Sequence, residues 1–224
     1  MTSKEFKDRL TRRARRADAL VSPELTDQFE AYFRLLARWN EKINLTALPI
    51  SDPSDEAIDR LLIEPLVASR HFTPLQKHVI DLGSGGGSPA IPLKLALPVL
   101  SLRMVESKTR RSAFLSEAIR ALELNNAIVE TARFEELLSR PELHETADVA
   151  TIRAVRVERR VLQTVQAFIK PGGLIFLFRS ASGPDSLPGL EPPLAWAGSL
   201  PLVQDSIPSR LVLLRKNQVS KKRI

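Results

Sequence analysis

The sequence predicts an α/β protein: a doubly wound, mostly parallel sheet behind an N-terminal helical extension. Three observations carry this. From residue 77 short apolar strands alternate with amphipathic helices, the pattern of a parallel sheet covered on both faces. The first of these strands, His78–Leu82, runs directly into a glycine cluster. Leu174–Phe178 is an unbroken apolar run, as expected of a strand buried on both sides.

Residues 4–20 read as an arginine-rich helix. Ser22-Pro23 starts a second helix, a polar cap before proline at the first helical position. Its apolar face is Phe29, Tyr32, Phe33, Leu36, Trp39 and Ile43, spaced by three or four residues. A helix over 55–71 should be kinked or split by Pro65. Strands are then expected at 78–82, 100–105, 127–131, 147–152, 174–178 and 210–214, with helices at 108–123 and 157–169. Pro, Gly and Ser make 181–201 a predicted loop. The chain thus divides into a helical extension (1–76), a core (77–216) and a basic tail (217–224).

Composition removes several function classes. With 224 residues and 43% hydrophobic residues, one sizeable core can form without staples. No cysteine is present, so there is no disulfide, thiolate nucleophile or Cys-based zinc site. Three histidines at unsuitable spacings make a metal mechanism unexpected. No apolar stretch is long enough for a membrane span and no secretory signal begins the chain, so a cytoplasmic protein is expected. Net charge is +7, unevenly spread: residues 1–20 carry +4 and 209–224 carry +6, leaving −3 between them. Basic ends on a faintly acidic body suggest a polyanionic partner. Arg12, Arg13, Arg15 and Arg16 are the first candidates for phosphate contacts, with Lys42 and Arg210.

The strongest local signal is Val79-Ile80-Asp81-Leu82-Gly83-Ser84-Gly85-Gly86-Gly87-Ser88-Pro89. Glycine lets the backbone turn sharply and approach a ligand, and the helix that follows offers unpaired N–H groups. The dinucleotide pattern G-x-G-x-x-G is broken at Ser88, and no Gly-Lys-Ser/Thr of a P-loop follows. Glu106 closes the second strand 19 residues after Gly87, where a carboxylate can accept hydrogen bonds from both hydroxyls of a ribose. Together these point to nucleoside binding.

The loop Gly83-x-Gly85-x-Gly87 resembles that of S-adenosylmethionine-dependent methyltransferases. A narrower resemblance lies in Leu36-x-x-Trp39-Asn40-x-x-x-Asn44-Leu45-Thr46. With Asp81-Leu-Gly-Ser-Gly, Glu106-Ser-Lys-x-Arg-Arg, Arg133-Phe134-Glu135, Thr151-Ile-Arg153-Ala-Val and Lys170-Pro-Gly-Gly, it is similar to the small-subunit ribosomal RNA methyltransferase G family, also called glucose-inhibited division protein B, over roughly residues 29–216. The resemblance implies a seven-stranded Rossmann-like methyltransferase sheet and methylation of guanine N7 in 16S ribosomal RNA, free or in a small-subunit particle. It implies S-adenosylmethionine as methyl donor, S-adenosylhomocysteine as product, and no metal or membrane. A monomer is expected. The chain departs from the family's Arg-His-x-x-Asp/Glu-Ser-Leu, reading Arg60-Leu61-x-x-Glu64-Pro65-Leu66, and Ser88 stands where an apolar residue is usual.

By the resemblance, Asp81 and Glu106 flank the cofactor, Glu106 on the ribose. Gly83, Gly85, Gly87 and Ser88 line its methionine–ribose side, and Phe134 and Glu135 its adenine. Arg153, at a strand's carboxyl end, is expected to hold the methionine carboxylate or a phosphate by a bidentate contact, and Asn44, with Thr46, to wall the methyl-transfer pocket. Guanine N7 has a free lone pair and no proton, so no general base is required. The Asn/Asp-Pro-Pro-Tyr/Phe signature of amine methylation is absent after the fourth strand; Glu191-Pro192-Pro193-Leu194 lies in another loop. Two alternatives stay open: a small-molecule methyltransferase, and an RNA-binding protein with a relict cofactor pocket.

Overall fold

Seven strands form one sheet in the order β3-β2-β1-β4-β5-β7-β6. They are β1 (His78–Leu82), β2 (Ser101–Val105), β3 (Ala127–Glu130), β4 (Ala147–Arg153), β5 (Ile169–Ser180), β6 (Leu194–Val203) and β7 (Ser209–Lys216). In this computed structural model the described residues are 1–50, 54–154, 157–181, 187, 189–203 and 208–218. Most of the basic tail, from 219 onward, lies outside them. The first five strands pair in parallel, and β7 runs antiparallel to both β5 and β6.

The predicted loop at 181–201 is corrected by β6, which occupies residues 194–203. Its Gly198 and Pro201 argued against a strand. However, among the described residues β6 is an edge strand bonded only to β7, and its register shifts at both positions. An edge leaves the missing proline N–H unneeded, and irregularities absorb both residues. β5 likewise begins before Pro171-Gly172-Gly173, at Ile169, with a register shift in its pairing to β4.

The helices are α1 (Ser3–Arg16), α2 (Pro23–Asn40), α3 (Asp55–Ile58), α4 (Glu64–Ser69), α5 (Ala90–Ala96), α6 (Thr109–Ala121) and α7 (Arg159–Phe168). A capping box of Thr2 and Glu5 starts α1, and Ser22 caps α2 ahead of Pro23. Between α3 and α4 the chain forms a π-helical turn over Asp59–Ile63, so the expected interruption at Pro65 falls just before it. One apolar cluster takes in Phe6 and Leu10 of α1, Phe29 and Phe33 of α2, Phe114 of α6 and Phe176 of β5. The rings of Phe6 and Phe33 lie 5.3 Å apart. The extension therefore shares its core with the sheet.

This packing corrects one phosphate-contact candidate. Arg13 is 3% exposed, with Nε donating to Asp59 Oδ1 at 2.8 Å and Nη2 to Oδ2 at 2.5 Å. Its fork is spent on a buried carboxylate inside the fold. Arg12, Arg15 and Arg16 are exposed, but Asp55 lies 3.7 Å from Arg9 and 3.8 Å from Arg12 and partly neutralises this face.

Candidate nucleoside and methyl-transfer site

Strand order reverses between β1 and β4, and ligands of open α/β sheets bind at the carboxyl edge beside such a switch. A cavity of about 850 Å³ opens there. It draws residues from the loops after β1, β2 and β3 and from the ends of β4 and β5. That volume falls within the usual range of small-molecule sites.

The glycine loop is fixed by its own backbone and by Glu106. Gly83 N–H and Ser84 N–H both donate to the Val105 carbonyl, tying β1 to β2. Glu106 is 4% exposed; its Oε2 accepts from Gly85 N–H at 2.9 Å and its Oε1 from Lys108 N–H at 2.8 Å. A carboxylate held by two backbone N–H groups keeps its remaining lone pairs for a ligand. On the other side the buried Tyr32 hydroxyl donates to the Gly86 carbonyl at 2.6 Å, so α2 forms the loop's back wall. Burial raises the Tyr32 pKa and keeps the phenol protonated as donor.

A buried polar cluster adjoins the cavity. Asp81 is 1% exposed; its Oδ1 accepts from Thr151 Oγ1 at 2.5 Å, and its Oδ2 has no hydrogen-bond partner among the described residues. Burial pushes its pKa up to about 6, against the lowering effects of its hydrogen bonds and of Arg153. Arg153 bonds the Arg60 carbonyl through Nη1 and Glu64 Oε2, at 2.5 Å, through Nη2. Its guanidinium also stacks 4.5 Å from the Phe178 ring centroid.

The π-helical turn explains two of these bonds. Pro65 has no N–H to offer the carbonyls four and five residues earlier, Leu61 and Arg60. Ser88 Oγ donates to the Leu61 carbonyl at 3.0 Å, and Arg153 supplies the Arg60 carbonyl. Pro65 and Ser88 are thus physically linked: the proline frees a carbonyl in the cavity wall that the serine satisfies.

Among the expected site residues, Gly83, Gly85, Ser88, Glu106, Phe134, Glu135 and Arg153 line the cavity, as does Thr46. Four residues sit differently from the expected picture. Asp81 does not line it but lies buried in the adjoining cluster. Gly87 faces the core: a Cβ there would stand 2.5 Å from Ile91 Cδ1. Asn44 is exposed and outside the lining, and among the described residues only its backbone carbonyl is engaged, accepting from Arg111 at 2.9 Å. Arg153 already donates to the Arg60 carbonyl and to Glu64, while its buried Nε has no hydrogen-bond partner among the described residues. Lys42 is exposed beside the α2–α6 contact, and Arg210 is half-buried within β7.

Sequence reasoning missed Asn40, whose Oδ1 accepts from Leu45 N–H at 2.8 Å and Thr46 N–H at 3.0 Å and shapes the wall after α2. Its place beside Trp39 in the matched frame was the available signal. Also missed were Arg60, Lys108, Arg111 and Arg133 on the cavity lining. They are scattered over 74 residues, and only folding gathers them.

The profile of the family described as rRNA small subunit methyltransferase G matches residues 25–192. The chain belongs to that family. It is 29% identical over 211 residues to Ribosomal RNA small subunit methyltransferase G of Oceanobacillus iheyensis, covering 90% of this chain and 87% of the relative. With the protein of that name from Carboxydothermus hydrogenoformans it is 32% identical over 171 residues, 76% of this chain and 72% of the other. The fold is similar to that of a SAM dependent methyltransferase from Aquifex aeolicus (TM-score 0.54, 14% identity, 69% of this chain and 90% of that one). It is also similar to a 16S rRNA adenine-N1 methyltransferase from Catenulisporales acidiphilia (TM-score 0.51, 17% identity, 65% and 87%). Membership accounts for the Trp-Asn frame, and within this family member Pro65 and Ser88 form the local variation described above.

Glu106→Ala is expected to weaken nucleoside binding by about 1.5–3 kcal/mol. The loss should also loosen the loop, because Gly85 and Lys108 N–H groups lose their acceptor. Glu106→Gln keeps an acceptor and should retain more affinity. Calorimetric titration of both variants checks this; equal affinity of the alanine variant and wild type would remove Glu106 from the site.

Proposed function

We propose that this chain transfers a methyl group from S-adenosylmethionine to N7 of a guanine in 16S ribosomal RNA. The observation that supports it most is the convergence of the glycine loop and the Glu106 carboxylate on one cavity beside the strand-order switch. Family membership and the names of the relatives supply the substrate class. Among the described residues no helix is long and apolar enough to cross a membrane, and no group of His, Asp and Glu side chains could hold a metal ion.

The residues present fit the methyl donor. The unmatched Asp81 Oδ2 and the Glu106 carboxylate provide anionic capacity suited to a cationic, ribose-bearing molecule. When bound, S-adenosylmethionine supplies an electrophilic methyl carbon on a positively charged sulfur. Glu106 would hold the ribose hydroxyls, and Phe134 and Glu135 would border the adenine. Leu45, Thr46 and Leu48 would wall the approach of the guanine. With guanine N7 as acceptor no proton would have to be moved, so the lining needs no general base. The chain's contribution is therefore alignment and exclusion of water, worth up to about 7–11 kcal/mol in well-oriented systems. Arg153 acts as a positioning residue, holding the π-helical wall through Arg60 and Glu64.

The decisive experiment maps N7-methylguanosine in 16S ribosomal RNA from a strain lacking this gene. One guanine should lose its methyl group and regain it when the purified protein and S-adenosylmethionine are added to the isolated small subunits or RNA. An unchanged methylation map would overturn the reading.

A pH dependence follows from Asp81. Its folded pKa of about 6 stands above the ordinary 3.8, so the folded state holds the proton more tightly than the unfolded one. Folding stability should fall as pH rises from about 4 to about 6 and then level off, by about 3 kcal/mol. Affinity for the cationic methyl donor should rise over the same interval, because a bound cation favours the carboxylate. Asp81→Asn should flatten both profiles and unfold at a higher temperature than wild type at pH 8. A wild-type affinity constant from pH 5 to 8 would remove Asp81 from cofactor binding.

A further inference from the structure

The cavity does not end at its lining. Residues 45–48 wall it from the α2 side, and Arg38, Trp39 and Lys42, just upstream, line a separate pocket of about 250 Å³ with Glu117 of α6. The two spaces lie along one seam. Arg111 of α6 lines the large cavity and bonds the Asn44 carbonyl across the seam; Glu117 lies six residues further along the same helix, about 9 Å at the helical rise. Trp39 is half-buried, its ring set edge-on to Phe114 at 5.9 Å, which fixes its orientation.

The charges differ in kind from those on the Asp55 side of α1, whereas Arg15 and Arg16 of α1 are exposed with no side-chain ion pair among the described residues. Arg9, Arg12 and Arg13 each have Asp55 within 4 Å, and Arg13 is buried on Asp59. Arg38, Lys42, Lys108 and Arg133 are exposed, and no side-chain ion pair joins them to the described residues. Unpaired cations keep their full attraction for phosphate, whereas paired ones must first give up a carboxylate.

We infer that the α2–α6 seam is the track for the RNA strand beside the methylated base. This deepens the proposed function and rests on it. Arg133, Lys108 and Arg111 would meet phosphates at the cavity mouth, and Arg38 and Lys42 those of a flanking nucleotide. Glu117 repels a phosphate from the small pocket itself. A base or ribose, with N–H or 2′-hydroxyl donors for that carboxylate and a face for Trp39, suits the pocket instead. The strand would leave along α6, and the Asp55-paired Arg9 and Arg12 of α1 would contribute less.

The test compares Arg38→Gln/Lys42→Gln with wild type, binding short single-stranded RNA oligomers centred on the methylated guanine. Titration with S-adenosylmethionine reports whether each protein is folded. At low salt the double variant should bind RNA about tenfold more weakly. The slope of log affinity against log salt should be shallower by about 1.4, at about 0.7 for each phosphate that is no longer neutralised. Trimming the oligomer from one end should close the gap between the two proteins once the flanking nucleotide is gone. Arg9→Gln/Arg12→Gln should weaken binding less. Equal affinity and slope in the seam variant, or a larger loss in the α1 variant, would overturn the track. The proposed methylation fails separately, if the wild-type protein leaves the RNA unmethylated.

Discussion

Asp59→Ala is expected to lower folding stability by about 3–5 kcal/mol, the cost of stranding one partner of a buried ion pair. Asp59 is 2% exposed and meets Arg13 through two parallel hydrogen bonds. Removing the carboxylate leaves the guanidinium enclosed between α1 and the π-helical turn, with the half-exposed Asp55, 3.6 Å away, as partial compensation. Replacing both partners with apolar residues of similar size, Arg13→Met with Asp59→Leu, should recover most of the loss, because desolvating two charges is itself expensive. Urea unfolding of the single and double variants measures this. A single variant within about 1 kcal/mol of wild type, a limit set well below the expected range, would show the pair to be energetically idle.

Gly85→Val is expected to reduce affinity for S-adenosylmethionine more than a hundredfold while leaving a folded protein. Gly85 has a φ of +50°, in the left-handed region, where an L-residue costs roughly 1–2 kcal/mol and a β-branched one more. The nearest atom to a Cβ there is the Gly83 carbonyl oxygen at 3.7 Å, so the side chain would enter the cavity and not the core. Gly87→Ala is the contrast. Its Cβ would press on Ile91 in the core, with a φ of +87°, so stability should fall before affinity does. Calorimetric titration and thermal melting of the two variants separate the effects. Normal binding by Gly85→Val would make the loop a structural turn and misplace the site.

Much of this arrangement was legible in the sequence because strands and helices here follow simple periodicities. The strand into Gly83, the acid closing β2 and the apolar run of β5 each carry a local pattern with one physical reading. Asp81 was legible as a site-region residue but not as a buried one, since its neighbour Thr151 is 70 positions away. Arg13 read as a free cation for the same reason: its carboxylate lies 46 residues downstream. The helical period places Arg12, Arg15 and Arg16 on one face but says nothing of which face turns inward. β6 was hidden by Gly198 and Pro201, whose local preferences are overridden at a sheet edge. Asn40 and Asn44 are both polar and adjacent to the same helix end, and the bonds from Leu45 and Thr46 distinguish them.

The Tyr32–Gly86 hydrogen bond joins the helical extension to the ligand-holding loop, and Tyr32 itself is buried in the core that the extension shares with the sheet. Binding competence therefore inherits the thermodynamic fate of the packing between the extension's helices and the sheet. A genetic screen for lost methylation would return substitutions at Phe6, Leu10 or Phe33 alongside those at Glu106, since emptying the packing behind α2 withdraws support from the turn it backs. Such alleles would mimic damage to the reaction centre in a bulk assay and betray themselves by temperature sensitivity. Cooling would restore them, whereas the lesions at Glu106 and Gly85 would persist at every growth temperature.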